Sequence, residues 1–196
     1  MPDPGQWMPQ PDGSRWWFDA GTISLDFAHT GGFEDEEGPD LLRTTDDLAA
    51  WFTARFAGLD VTCHSRDLAD SRVLRGAIAR LARATASAAK RAETDVDLVN
   101  LFAATPDIPP SLPGGSRQAG RATPRFAQAL AEIARDAVHA LGDSGAGRVR
   151  ECSADDCSLV YLDTSRAGTR RWCSMQRCGN RAKVRAHRAR AKSLSS

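Results

Sequence analysis

No run of apolar residues in the 196-residue chain approaches the roughly 18 that a membrane-spanning helix needs, which excludes an α-helical membrane span. Residues 1–14 hold no basic residue and no apolar run, so no signal peptide is expected and the protein is expected to be soluble and cytoplasmic. Glycine-rich phosphate and dinucleotide fingerprints are missing, and no Ser or Cys stands in a recognisable nucleophile motif. The sequence therefore offers no catalytic constellation, and no enzyme is expected. Internal repeats are absent. Cysteine is scarce, at five residues, and an odd count with no secretion signal argues for reduced thiols rather than a disulfide framework. Acidic residues stop at Asp163, leaving the last stretch of chain with none.

What is present is ordinary globular composition, 41% apolar and 26% charged, in a length that suits one domain plus a small module. The net charge of +1 conceals a polarity. From residue 148 onward 12 Lys and Arg face 4 Asp and Glu, a net of +8, whereas residues 1–147 hold 14 basic and 21 acidic residues, a net of −7. A basic tail on an acidic body suggests a polyanion as partner.

Within residues 16–30, Ile23, Leu25 and Phe27 alternate with Ser24, Asp26 and Ala28, and this period of two predicts a half-buried strand. Gly31, Gly32 and the acidic run 34–37 predict an exposed loop. Thr44 and Asp47 form a capping box for a helix through Phe56, with Leu48, Trp51, Phe52 and Phe56 on one face and Gly58 ending it. Ser65 caps a long predicted helix to about Arg91, striped with Leu74, Ala77, Ile78 and Leu81. Thr94 starts a short one carrying Leu98, Leu101 and Phe102. An irregular loop is expected over 105–123, and Thr123 and Pro124 then cap a helix with Phe126, Leu130, Ile133, Ala137 and Leu141 on one face, stopped by Gly142. Residues 143–147 read as a Gly/Ser linker. Two domains are expected, 14–142 and 148–191.

Four of the five cysteines fall in the second: Cys152-x4-Cys157-x15-Cys173-x4-Cys178. Two short pairs across a spacer suit tetrahedral thiolate coordination of one structural Zn²⁺, and four thiolates close the site against catalysis. An iron–sulfur centre uses the same ligands, but a basic module around a hairpin suits zinc better. The spacer, with Leu159, Val160, Tyr161 and Leu162, then turn residues, then Arg170 to Trp172, predicts a β-hairpin between the knuckles. So small a piece needs a staple to fold. Cys63 and His64 are too isolated for a metal site and read as a loop pair.

Ser174 caps a predicted helix to about Ala191. At 100° per residue Arg177, Arg181, Arg185, Arg188 and Lys192 share one stripe, with Lys183, His187 and Arg190 nearly opposite and Cys178, Ala182, Ala186 and Ala189 between. The alanine face is expected against the knuckle and the basic stripe outward. Arginine's planar donors suit phosphate and guanine edges. The helix lacks the large apolar residues of a membrane-surface helix, so DNA is the expected partner and no membrane.

The run Cys173-Ser-Met-Gln-Arg-Cys178-Gly179-Asn180-Arg181, preceded by Cys152-x4-Cys157, resembles the CGNR zinc finger. Upstream, Gly21-Thr-Ile-Ser-Leu25-Asp26-Phe27-Ala28-His29-Thr30, then Asp40-Leu-Leu-Arg43, Leu48 with Trp51, Leu74-Arg75-Gly-Ala-Ile78 and Asp97-Leu98 with Asn100 resemble the ABATE domain, so that the likeness covers roughly residues 13–190. The chain departs at His29, where that domain usually has Asn; His brings different donors and a titratable ring. The resemblance implies a bacterial, stress-induced transcription regulator with zinc on Cys152, Cys157, Cys173 and Cys178. It also implies nucleic-acid contact through the last helix, placing Arg177, Asn180, Arg181, Arg185, Arg188 and Lys192 at the interface.

Asp26, His29, Arg43, Arg75 and Asn100 are polar residues set in apolar patterns of the body. Two readings stand: they satisfy backbone groups and one another in the core, or they line a pocket for a small-molecule effector. The expected fold is α+β, a helix-rich N-terminal domain with a small β element followed by a treble-clef-like four-cysteine finger of β-hairpin and C-terminal helix. The expected function is a DNA-binding regulator, compatible with a homodimer. The alternatives are an RNA- or protein-contacting finger on a ligand-binding or enzymatic body, against which Tyr161 and Trp172 are the finger's few aromatics for stacking, and a thiolate–zinc redox switch.

Overall fold

The structure, a computed structural model, describes residues 4–10, 12–31, 40–56, 59, 61–106 and 125–194, the side chains of 192–194 excepted. The expectations for the 34–37 loop, Gly58, the 107–123 part of the loop and the Thr123–Pro124 cap lie outside the described residues. The fold is α+β and helix-rich. Two antiparallel strands, β1 (Gln6–Pro9) and β2 (Arg15–Phe18), open the chain. Helices α1 (Ile23–Ala28), α2 (Thr45–Thr53), α3 (Ser65–Ala86), α4 (Glu93–Ala103), α5 (Phe126–Leu141) and the single turn α6 (Asp143–Ala146) follow. Strands β3 (Val149–Glu151) and β4 (Val160–Leu162) pair antiparallel, and a π-helical turn (Met175–Gly179) runs into α7 (Asn180–Leu194).

The alternating segment Ile23–Ala28 is a helix, not the strand that its period of two predicted. Every residue of it is buried, so alternation between apolar and small polar residues does not distinguish an inner from an outer face. The polar members find partners inside the protein. Asp136 on α5 caps the helix start, accepting from the Ser24 amide at 2.9 Å and from the Thr22 hydroxyl. The Asp26 carboxylate accepts from the amides of Gly5 and Ala20, the latter at 3.0 Å. The strand that does exist lies just upstream. Trp16 and Phe18 point inward and Trp17 outward, opposite Met8, Gln6 and Trp7 on β1.

A local capping box places α2, while α4 begins at Glu93, one residue before the expected Thr94. Thr44 and Asp47 exchange side-chain and amide hydrogen bonds at 3.1 and 2.9 Å. Helix α2 ends at Thr53, with Phe56 in the turn beyond still stacked on Phe52 at 5.7 Å. His64, not Ser65, is the N-cap of α3, its amide donating to Asp67 at 2.8 Å. This helix stops at Ala86, short of Arg91, because Ala88 turns to φ 55° and its neighbours close a Schellman motif, the Ala88 amide on Thr85 O and the Ala89 amide on Ala84 O at 2.8 Å. On α4 the buried residues are Asp95 and Val99, while Leu101 is 69% exposed; a bidentate pair between Asp95 and Arg80, at 2.6 and 2.9 Å, turns that face inward. All five apolar residues expected on α5 are buried. Residues 143–146, read as linker, make the helical turn α6.

One core runs through the whole of this. Phe27, Trp51, Phe52 and Phe126 form its aromatic centre, with Phe52 and Phe126 ring centroids 4.7 Å apart. Val149, Val160, Tyr161 and the buried cysteines join the same cluster, so β3 and β4 pack on α1 and α3. The Leu162 amide donates to Ala20 O at 2.8 Å, and Gly21, at φ +86°, lies so close that a Cβ there would sit 2.3 Å from Leu162 O.

Candidate metal centre and basic helix

The β-hairpin forms around the first knuckle, β3 before it and β4 after, rather than between the two knuckles as the spacer suggested. Residues 170–172 form no strand. Asp163 accepts from the amides of Ser165 and Arg170, each at 2.9 Å, and the Tyr161 hydroxyl donates to Arg170 O at 2.7 Å, so the return chain is held by side chains. The Arg170 guanidinium lies 4.1 Å over the Tyr161 ring and donates to Asp19 O at 2.9 Å, joining finger to body.

This framework brings Cys152, Cys157, Cys173 and Cys178 together with all four sulfurs within 4.8 Å of one another. The Cys157–Cys173 and Cys173–Cys178 sulfur distances are 3.7 and 3.4 Å. A tetrahedron with metal–sulfur bonds of ~2.3 Å has edges of about 3.8 Å, so the set fits a single metal ion. Cys152, Cys173 and Cys178 are buried and Cys157 is half-buried. Hydrogen bonds from the Cys157 and Cys173 thiols, and from the Cys173 amide at 3.4 Å, draw the Cys152 thiol far below its ordinary range. Donation to Cys152 pushes Cys157 up to about 12, and donation to both neighbours with burial drives Cys173 up as well. Cys152, Cys157 and Cys173 are thus coupled, one losing its proton readily at the expense of the other two, and a bound cation relieves that competition. Cys63 stands apart, its thiol pushed up to about 11 by burial and Asp67.

The residues after Cys173 root α7 on this cluster. A Cβ on Gly179 would meet the end of the exposed Met175 side chain at 2.8 Å and Trp172 at 3.3 Å, so a larger residue there would have to push the Met175 thioether aside. Arg181 donates to Cys178 Sγ at 3.1 Å and pairs with Asp156 at 3.1 Å. Arg185 pairs with Asp156 at 2.9 Å and reaches Asp155 at 3.9 Å. Arg177 lies 4.8 Å over the Trp16 ring of β2, and Asn180 donates to Gln176 O at 3.3 Å. The stripe expected to point outward thus turns its first three arginines toward the knuckle and the body. The sequence pattern missed this because their partners lie on another loop and another strand. From Lys183 to Ala191 every residue is exposed, Ala186, Arg188 and Ala189 included, so the alanine face meets the knuckle only at half-buried Ala182. The Lys192 side chain lies outside the described residues.

In the body the five polar candidates are placed separately. His29 is buried at the end of α1 with Nε2 donating to Val160 O at 2.7 Å, and burial pushes its imidazole down to about 4. Burial lifts Asp26 to about 6 against its amide hydrogen bonds. Arg75 pairs with Asp40 at 2.8 Å. Arg43 is exposed beside α2, and Asn100 is exposed on α4 at the rim of an apolar dent of about 130 Å³, well below the roughly 300–1,000 Å³ of small-molecule sites.

A family model described as "CGNR zinc finger" matches residues 148–191, and one described as "Putative stress-induced transcription regulator" (ABATE) matches residues 21–144. No curated protein matches the chain. Among the described residues no helix is long and apolar enough to cross a membrane.

Proposed function

Since the chain belongs to the ABATE family and carries a CGNR zinc finger, we propose that it is a transcription regulator that grips duplex DNA with α7, held rigid by one structural Zn²⁺ on Cys152, Cys157, Cys173 and Cys178. The observation that carries this reading is the rooting of an arginine-rich helix on a closed cysteine tetrad, with its exposed part standing clear of the body. Fifteen residues of α-helix span about 22 Å at 1.5 Å per residue, and the helix diameter matches the ~12 Å major groove. Zinc supplies the neutralising charge and the fixed geometry when bound. The chain's own residues do the rest: the Cys178–Arg181 hydrogen bond fixes the helix start, and Arg188 with Lys183 presents charge to phosphates.

Arg181 and Arg185 reach DNA by exchanging Asp155 and Asp156 for phosphate. Contact with about four phosphates gives a slope near −4 in the log–log dependence of affinity on salt. Anisotropy titrations of a labelled duplex between roughly 50 and 200 mM salt measure it. Arg188→Ala is expected to reduce the slope by about one. Binding that is insensitive to salt would refute the reading.

A further inference from the structure

Two tryptophans of the body lie on its surface. Trp7 is 56% and Trp17 44% exposed, paired edge to face across β1 and β2 at 5.5 Å. Trp17 is held in place from below as well. Gly5, at φ +111°, passes so close that a Cβ there would stand 2.3 Å from the indole, and any larger residue would displace the ring. An exposed indole fixed on two sides is a binding platform more than a packing element.

Trp17 forms one wall of a groove of about 620 Å³, within the size range of ligand sites. The facing wall is finger: Thr169, Arg171, Trp172, Met175 and Gln176. The Arg171 guanidinium lies 5.1 Å over the Trp172 ring. Asp19 is the single carboxylate among the described lining residues, and its Oδ1 already accepts from the Gly21 amide at 2.7 Å. At Met175 the groove runs directly into the turn that begins the basic helix.

We propose that this groove takes one unpaired nucleotide of a DNA strand whose duplex part lies on α7. The inference rests on the DNA-binding reading above and deepens it. Indole faces stack on any base, the Met175 thioether adds a polarisable contact, Gln176 offers both donor and acceptor to a base edge, and Arg171 meets the phosphate. Charge complementarity selects this occupant, because the finger wall carries Arg170 and Arg171 and the chain has no acidic residue after Asp163.

The test compares a blunt duplex with the same duplex bearing a short unpaired overhang, both binding the full chain at fixed salt. The overhang is expected to bind about tenfold tighter. Trp17→Ala should remove that advantage and Trp17→Phe should keep most of it, with blunt-duplex affinity unchanged in both; the lost Trp7–Trp17 contact is expected to lower the melting temperature of Trp17→Ala by only a few degrees. Equal affinity of the unaltered chain for the two DNAs overturns the groove assignment and leaves the duplex reading standing. So does an advantage that survives Trp17→Ala, or one that an abasic overhang reproduces. Failure to bind either DNA overturns the reading beneath it.

Discussion

Asp26 and His29, three residues apart on one buried helix, are shifted in opposite directions by the same burial. His29 stays neutral, pushed down to about 4, and an unfolded chain with an ordinary imidazole near 6.5 binds more protons between those values. Its contribution is therefore fully present above about pH 6.5 and is lost as pH falls through about 4. Asp26, lifted to about 6, contributes stability below its ordinary value near 3.8 that is lost as pH rises through about 6. The two nearly cancel over the window they share. His29→Asn keeps a donor for Val160 O and removes the titrating ring. Between pH 7 and pH 5 the variant is expected to gain about 2 kcal/mol relative to the parent chain. Urea unfolding of both proteins at the two pH values reads this out, and a difference independent of pH would show that His29 is not a buried neutral imidazole. The Asn that the resembling domain usually carries at this position offers the same hydrogen bond without the titration.

At the scale of elements, the helix α7 and the first knuckle are neighbours with opposite charge. Asp155 and Asp156 are exposed, and water screens each pairing with Arg181 or Arg185. On the proposed reading, DNA phosphates displace them. Asp155→Asn with Asp156→Asn is therefore expected to tighten duplex binding about three- to tenfold at low salt, leaving the metal content at one ion per chain. Weaker binding by the double variant would mean that the aspartates position the helix rather than compete for it. Neither contact was legible in the sequence, which shows the arginine stripe but not what faces it. Legibility followed the range of the interaction throughout. The Thr44–Asp47 box, the apolar face of α5 and the cysteine spacing are set within a few residues and were readable. The start of α1 is capped by Asp136 from more than a hundred residues away, and the partner of β3 is chosen by what β4 must bury, so Ile23–Ala28 and the hairpin were misread. The exposed pair Trp7 and Trp17 escaped notice for the same reason. The role proposed for Trp17 depends on a wall supplied by the finger, and Tyr161, expected to be an exposed aromatic, is buried under Arg170.

At the scale of the molecule, the cysteine tetrad is built into the core rather than hung from it. Cys152, Cys173 and Cys178 share a cluster with Phe18, Leu25 and Ile78, and the joints between finger and body all end on backbone carbonyls: the Leu162 amide on Ala20 O, the buried His29 side chain on Val160 O, and the Arg170 guanidinium on Asp19 O. A metal ion that orders such a site stabilises both parts together. Structural zinc contributes ~10–16 kcal/mol in small fingers, and if only about 4 kcal/mol of that reaches the whole chain, its melting temperature moves by roughly 8–16 °C. Stripping the metal with a strong chelator, or Cys173→Ser, is thus expected to lower a single cooperative transition and to shift the fluorescence of the body tryptophans along with Trp172. Calorimetry distinguishes this from a loosely attached tail. Two transitions, of which the upper keeps its temperature after chelation, would mean that the body stands without the finger. In that case the contacts at Gly21 and Arg170 would join two separately stable units.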